Sequence, residues 1–397
     1  VRLLHTSDWH LGHALRDFTR EHEHAAFLAW LLEMCRCEAP DVLVVTGDVF
    51  DSATPPASAE RMWFEFLAAA RRARPGMDIV AIAGNHDSPA RLGAASAVLR
   101  ELGVHVIGGL PRLADGALDL DRILVPVGGG RGLVAAVPFL RPIDVSIDAA
   151  DALAAVYREV IAAARERRAP GQALIVTGHL YVSGAEPSAS ERRVSIGGQE
   201  ATSARLFPDD IDYVALGHLH RAQRIWRDTI RYAGAPLPLA LDEARYKSSI
   251  AIVDFGERVE VRTLDVPRAV GFVKIAGGLE EVLAEVAMLP ARDDSPAPYL
   301  EVAVALARPE PRLRSVIENA LDGKQARLVQ LRVELSGDGA ALGDRVAQRR
   351  LAELDPREVF ARLWARSHAE PPSTAVIGAF DRLLAEVRGD LADPEAA

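Results

Sequence analysis

Five short segments carry side chains able to hold and polarise a divalent cation: Asp8-Trp9-His10, Gly47-Asp48, Gly84-Asn85-His86-Asp87, Gly178-His179 and Gly217-His218-Leu219-His220. Together they offer aspartates, an asparagine and histidines, with no cysteine among them. Oxygen and imidazole donors without thiolate suit Mn²⁺ best, with Mg, Fe or Zn as alternatives. Asp8 and His10 are one residue apart, as are His218 and His220. On an extended segment each such pair leaves from one face and can reach one cluster. A carboxylate such as Asp48 can bridge two cations about 3.5–4 Å apart, the separation used in two-metal hydrolysis of phosphoesters. Each piece alone has an ordinary reading. D-x-H is common, Asn and Asp in G-N-H-D favour helix caps, and G-H-x-H can be a turn with surface histidines. All five in one chain, each closing an apolar run, point to a shared site.

The elements that must position them are short, buried strands. Leu3-Leu4 leads into Asp8, Val42 to Val45 into Asp48, and Ile79 to Ile82 into Asn85. Leu174 to Val176 leads into His179, and Tyr213 to Leu216 into His218. Short apolar runs followed by turn signals read as buried strands. Amphipathic stretches such as His24 to Arg36 and Ala59 to Ala73 read as helices between them. This alternation predicts an α/β sandwich with helices outside. Val104 to Leu140 reads as successive short strands with Gly-rich turns, so the sheets are expected to be mixed. Sites in open α/β sheets lie outside the carboxyl ends of strands, where these five loops can converge. Glycine directly precedes the donor in four of the five, which permits a tight turn and close backbone approach.

A chain of 397 residues is expected to form two or three domains. The predicted division is a domain carrying the donor segments over 1–266, a compact second α/β domain over 267–337 without them, and a linker with C-terminal helices over 338–397. In the second part, strands are expected at Phe272 to Ile275, Tyr299 to Leu306 and Leu328 to Leu335. Helices are expected at Leu279 to Leu289 and Pro311 to Leu321. Asp355-Pro356 with Glu358 has the acceptor, proline and acidic residue of a helix start. Val359, Phe360, Leu363 and Trp364 form one apolar stripe. Val376, Ile377, Phe380, Leu383, Leu384 and Val387 form another. These helices either pack on their own protein or dock on a partner.

The composition, 49% hydrophobic and 26% charged, is that of a soluble globular protein. No apolar run approaches the roughly 18 residues that span a bilayer. Val1 to Thr6 shows no leader pattern, and Cys35 and Cys37 face different sides of a helix, so free thiols in a reducing cytoplasm are expected. A net charge of −10 argues against a free-standing DNA binder, because phosphate contacts need Lys and Arg. Among the other histidines, His5 lies inside the first strand and reads as a core residue or a support behind the site. His13, His22, His24, His105 and His368 read as ordinary helix, strand or surface positions.

D-x-H, G-D, G-N-H-D, G-H and G-H-x-H in that order resemble the signature of the calcineurin-like metallophosphoesterase superfamily. Leu4-His5-Thr6-Ser7-Asp8-Trp9-His10-Leu11-Gly12 and Gly47-Asp48-Val49-Phe50-Asp51 narrow the resemblance to the SbcD family of bacterial exonuclease subunits. Pro138-Phe139-Leu140-Arg141-Pro142, Ala215 to Arg221 and Arg231 to Pro236 support it. The likeness is strong from Val1 to about Asp254 and looser beyond.

The resemblance implies one cation held by Asp8, His10, Asp48 and His220, and a second held by Asp48, Asn85, His179 and His218. It implies that His86 contacts the scissile phosphate and protonates the leaving 3′-oxygen, a role that suits imidazole. Asp87 is expected either to orient that ring or to cap a helix. Some relatives carry a second histidine at the place of Asp51, so no second acid–base histidine is expected here. The family implies 3′→5′ exonuclease action on duplex ends and endonuclease action on single strands and hairpins. It also implies a cytoplasmic, nucleoid-associated homodimer joined to SbcC, an SMC-like coiled-coil ATPase, whose DNA-binding surface would answer the charge objection. Arg141, Arg192, Arg193 and Arg221 are candidates for phosphate contact.

Overall fold

Alternation along the central strands decides the layers. Leu4, Leu43, Val45, Ile79 and Ala81 face one way and pack with Phe27, Trp63 and Phe66 of the helices Glu21–Cys37 and Ala57–Ala73. Their neighbours Leu3, Val42, Val44, Val80 and Ile82 face the other way and meet Val134, Ile175, Tyr213 and Ala215 of a second sheet. On the far side of that sheet, Leu174, Val176, Val214 and Leu216 pack with Val156, Val160 and Ile161 of the helix Ala152–Arg167. Period-two alternation of apolar residues on both faces leaves no other arrangement. The fold is thus helix, sheet, sheet, helix: the mixed sandwich expected from the strand–helix alternation. This computed structural model describes residues 1–145, 152–188 and 202–335, with 360, 364, 372–373 and 376–380.

The first sheet runs in space Val259–Asp265, Ser249–Phe255, Arg2–Thr6, Val42–Thr46, Asp78–Ile82, Val104–Ile107. Its last four strands are mutually parallel and its first two antiparallel. The second runs Gln223–Ile225, Arg227–Tyr232, Tyr213–Gly217, Ala173–His179, Gly132–Ala135, Leu124–Val127. It is parallel in the middle and antiparallel at both edges. Register aligns the strand ends: Thr6 lies opposite Val45, Thr46 opposite Ile82, and Gly217 opposite His179. All five donor-bearing loops therefore leave one edge of the sandwich. The stretch from Val104 to Leu140 starts in the first sheet and continues into the second, which is why it reads as strands broken by glycines.

Beyond Val266 three parallel strands, Phe272–Gly278, Tyr299–Leu306 and Arg327–Leu335, lie side by side in chain order. The helices Leu279–Ala287 and Leu313–Ala320 connect them and bury Val282, Val286 and Ile317 against Leu300, Val302 and Val304. Tyr299 faces away from these helices and packs with Leu15, Val270 and Val329. Its hydroxyl donates to Glu23 Oε1 at 2.7 Å. Arg20, fully buried, grips the same carboxylate with Nε and Nη2 at 2.8 and 2.7 Å and donates to the Pro238 carbonyl. Burial would raise the Glu23 carboxyl, but Arg20 and Tyr299 hold it below its ordinary value. This buried joint pins the small sheet to the sandwich, and Val1–Leu335 holds together as one unit.

Residues 336–397 form a second unit. Within it Phe360 stacks on Phe380 of the helical stretch 376–380, ring centroids 4.3 Å apart, and lies 5.8 Å from Trp364. The two expected apolar stripes therefore touch each other. Val359, Leu363, Leu383, Leu384, Val387 and the linker lie outside the described residues. Cys35 is buried and Cys37 exposed, both as free thiols. Among the described residues no helix is long and apolar enough to cross a membrane.

Candidate metal centre

The first donor loop is held by the residue between its donors. Trp9 is fully buried and meets Phe27, Trp63 and Phe66 edge-on, at 5.7, 5.6 and 5.3 Å between centroids. Its indole N–H donates to Thr6 Oγ1 at 2.9 Å. With Trp9 driven into the helices, Asp8 and His10 are left to face the opposite side. They do so by a different backbone from the extended one expected: φ is +52° at Asp8 and +47° at His10. Asp48 and His218 are also left-handed, at +48° and +100°. These are four of the seven non-glycine residues with positive φ among the described residues. Each costs about 1–2 kcal/mol for an L-residue, so the strain is concentrated where the donors converge.

Two glycines make the convergence possible. A Cβ on Gly84 would fall inside the Asp48 carboxylate, and one on Gly217 would collide with the Thr46 carbonyl and the Ser7 hydroxyl. Only bare backbone lets neighbouring loops of the first sheet at Gly84, and loops of the two sheets at Gly217, approach this closely.

Asp48 lies at the centre. Its Oδ2 is 3.3 Å from His179 Nε2 and 3.6 Å from His10 Nε2. Its Oδ1 accepts the backbone N–H of His86 at 2.8 Å. On one side, donor atoms of Asp8, His10 and His220 lie within 4.8 Å of one another. On the other, Asn85 Oδ1 is 3.0 Å from both His179 Nε2 and His218 Nδ1. Asp8, Asp48 and His179 form a further group within 4.8 Å, joining the two sides. His10 Nε2 is buried with no hydrogen-bond partner among the described residues, although it points at a carboxylate. A buried unpaired nitrogen is costly unless it binds something. Oxygen and imidazole donors around two buried carboxylates fit divalent cations.

The electrostatics match. Burial pushes the Asp8 carboxyl above its ordinary value, and the neighbouring Asp48 adds to this. Burial would raise Asp48 too, but the His179 imidazole beside it, then His10 and His86, hold it far below the carboxylate range. Burial works to lower His179, yet Asp48, Asp8 and the Thr46 carbonyl bring it up to about 9. Burial and the nearby His179 push His218 down to about 3. A proton between Asp48 and His179 thus stands where a metal charge can replace it.

Residues 1–222 match the family described as Calcineurin-like phosphoesterase, and 267–368 match a Type 5 capsule protein repressor C-terminal domain. The SbcD subunit of the SbcCD nuclease of Rhodobacter capsulatus is 39% identical over 354 residues, covering 84% of this chain and 87% of that protein. The protein of that name from Escherichia coli K12 is 34% identical, covering 77% of this chain and 78% of its own length. The Bacillus subtilis protein is 38% identical over 71% of this chain and 74% of its own. The chain belongs to the SbcD family of calcineurin-like phosphoesterases.

Several supports of the centre in this SbcD-family chain are not visible from its motifs. His10 Nδ1 donates to Asp51 Oδ1 at 3.2 Å, His220 Nδ1 to Glu243 Oε1 at 2.9 Å, and His179 Nδ1 to the Thr46 carbonyl at 2.8 Å. Thr46 directly precedes Gly47-Asp48 but acts through its backbone carbonyl, which no motif reports, whereas an aspartate at position 51 could have been read as a partner for a nearby histidine. Glu243 sits in the short turn Leu241–Arg245, far from any donor in sequence. His5 lies buried behind the site, between the Tyr213 hydroxyl at 3.0 Å and Thr46 Oγ1 at 2.9 Å, and burial drives it down to about 3.

Asp87 does neither of the things expected of it. Its carboxylate accepts the backbone N–H groups of Val49, Phe50 and Gly84 at 3.1, 2.9 and 2.9 Å, tying two donor loops together. The helix Pro89–Gly93 is capped by Ser88 instead, and the His86 ring is held by the Asp51 carbonyl, 2.9 Å from Nδ1. Burial and Asp48 push Asp87 up to about 6 against those three N–H groups. Among the candidate phosphate contacts, Arg141 is engaged bidentately by Asp144 at 2.9 Å, and Arg221 pairs with Glu186 and lies over Tyr246. Arg192 and Arg193 lie outside the described residues.

Proposed function

We propose that this chain is the nuclease subunit of an SbcCD-type complex, hydrolysing DNA phosphodiesters with two divalent cations, Mn²⁺ in the first place. The observation that carries the reading is the donor set gathered on both sides of Asp48. Asp8, His10, Asp48 and His220 would hold one cation, and Asp48, Asn85, His179 and His218 the other. When bound, the cations supply positive charge to the phosphoryl oxygens and an acidified water as nucleophile.

The chain's own residues do the rest. Asp51 fixes the His86 ring through Nδ1, which leaves Nε2 to face the leaving 3′-oxygen and give it a proton. Asp87 keeps the Asp48 and Asn85 loops in register. The relatives are named as part of a nuclease, SbcCD, which supports DNA as substrate and SbcC, a coiled-coil ATPase, as partner. The proposed activities are a 3′→5′ exonuclease on duplex ends and an endonuclease on single strands and hairpins. The net charge of −10 favours a complex in which the partner supplies much of the cationic surface. We assign 1–266 to catalysis, 267–337 to a cap and 338–397 to SbcC docking, within a cytoplasmic, nucleoid-associated homodimer.

The test is end degradation of linear DNA by the chain with its SbcC, with Mn²⁺ and without. Manganese-dependent loss of ends is expected. Turnover of bis-p-nitrophenyl phosphate with no cleavage of any DNA would move the chain to another phosphoesterase activity. Deleting Leu354 to Ala397 should abolish co-purification with SbcC while leaving hydrolysis of that small diester; retained binding would place the interface elsewhere.

A further inference from the structure

The two sides of the metal centre are held from behind by different kinds of group. On the side of Asp8, both imidazoles are backed by carboxylates: His10 by Asp51 at 3.2 Å and His220 by Glu243 at 2.9 Å. On the side of Asn85, His179 is backed by a neutral backbone carbonyl, that of Thr46, at 2.8 Å. The remaining donors sharpen the contrast. Asp8 adds a second charge to the first position, whereas Asn85 and His218 add none to the other. Asp48 is common to both.

Glu243 is built for this task. It is 2% exposed, and it is fixed by the Leu239 N–H at 2.8 Å and the Ser188 hydroxyl at 3.0 Å as well as by His220. Its position does not depend on a bound ion. Asp51 is weaker by the same measures, with a third of its side chain exposed and a longer bond. A carboxylate that accepts the far N–H of a ligating imidazole fixes the tautomer, aims the other nitrogen and strengthens it as a donor. It also places negative charge near the ion in a site screened from water.

The geometry points to two unequal cation positions: Glu243 and Asp51 are positioning residues that tighten the one formed by Asp8, His10, Asp48 and His220, and the ion among Asn85, His179 and His218 is the exchangeable one. This rests on the two-cation reading above and adds the order in which the ions leave.

The experiment loads the full chain with Mn²⁺ and titrates it with a competing chelator. Bound metal is counted by mass spectrometry, and paramagnetic resonance separates coupled from isolated Mn²⁺. The wild type should lose its ions in two steps, passing through a one-ion form with an isolated Mn²⁺ signal. Glu243→Gln, which keeps the shape and loses the charge, should move the tight step toward the weak one by about 10- to 100-fold in affinity. Asp51→Asn should move it less. Asn85→Ala should remove the weak step and spare the tight one. Both variants behind the histidines must refill to two ions at saturating Mn²⁺, which a collapsed pocket would not do. Should Glu243→Gln fail to refill, Asp51→Asn carries the test alone. Loss of both wild-type ions in one step, or an unmoved tight step in the refilled variants, would overturn the inference and leave the nuclease reading intact. A chain that binds no Mn²⁺ at all would remove both.

Discussion

Replacing His86 by alanine separates proton transfer from metal binding. The ring is held at Nδ1 by the Asp51 carbonyl, 2.9 Å away, and meets His10 edge-on with centroids 4.9 Å apart. The bond that ties this segment to Asp48 is made by the His86 backbone N–H at 2.8 Å and survives the substitution. The cation donors should therefore stay in place. A positioned general acid contributes about 10²–10⁴-fold, or about 2.7–5.4 kcal/mol of barrier, when the leaving oxygen is a poor one. A DNA 3′-oxygen is such a leaving group and p-nitrophenolate is not. The expected result is a loss of about 10²–10⁴ in kcat on DNA ends and less than about 10-fold on bis-p-nitrophenyl phosphate. Metal analysis should still find two ions per chain. Equal losses on both substrates would refute the acid role. Loss of a cation would refute the assignment more deeply, because His86 lies within 4.8 Å of donor atoms on His10 and Asp51 and would then be a ligand.

Glu23→Gln should destabilise the chain by about 3–5 kcal/mol in urea unfolding, since it leaves the fully buried Arg20 without its counter-charge. A change below about 1 kcal/mol would mean that the joint at Tyr299 is bridged another way. The acid limb of stability has a separate origin. His24 is fully buried, neither ring nitrogen has a partner among the described residues, and burial, with Arg20 nearby, drives it from 6.5 down to about 3. Between those values the unfolded chain holds the extra proton, so stability falls as pH falls, by about 1.4 kcal/mol per pH unit for each such histidine. His24→Leu should flatten the pH dependence of the metal-free chain's urea midpoint by one proton's worth between pH 6.5 and 4; an unchanged slope would contradict a neutral His24.

The fold and the positions of the donors are written locally, and that is why motifs and alternation found them. A run such as Val42 to Val45 must be buried on both faces, and a glycine followed by an aspartate at its end can only be a tight loop at a sheet edge. What supports the donors is written at long range. Glu243 reaches His220 across 23 residues, and the Thr46 carbonyl reaches His179 across 133. No spacing rule announces either. The left-handed backbone at Asp8 and His10 was illegible for a similar reason, because the cost of that conformation is met by burying Trp9 among Phe27, Trp63 and Phe66. Asp87 looked like a partner for its neighbour His86 and instead spans two loops that only the sheet register brings together. Of the two C-terminal stripes, the described positions 360, 364 and 376–380 are helical, and Phe360 stacks on Phe380.

The most direct measurement is anomalous diffraction from crystals of the full chain soaked in Mn²⁺. Two peaks should appear about 3.5–4 Å apart with the Asp48 carboxylate between them. One should touch Asp8, His10 and His220, and the other Asn85, His179 and His218. A single peak, or a pair that does not share Asp48, would contradict the account.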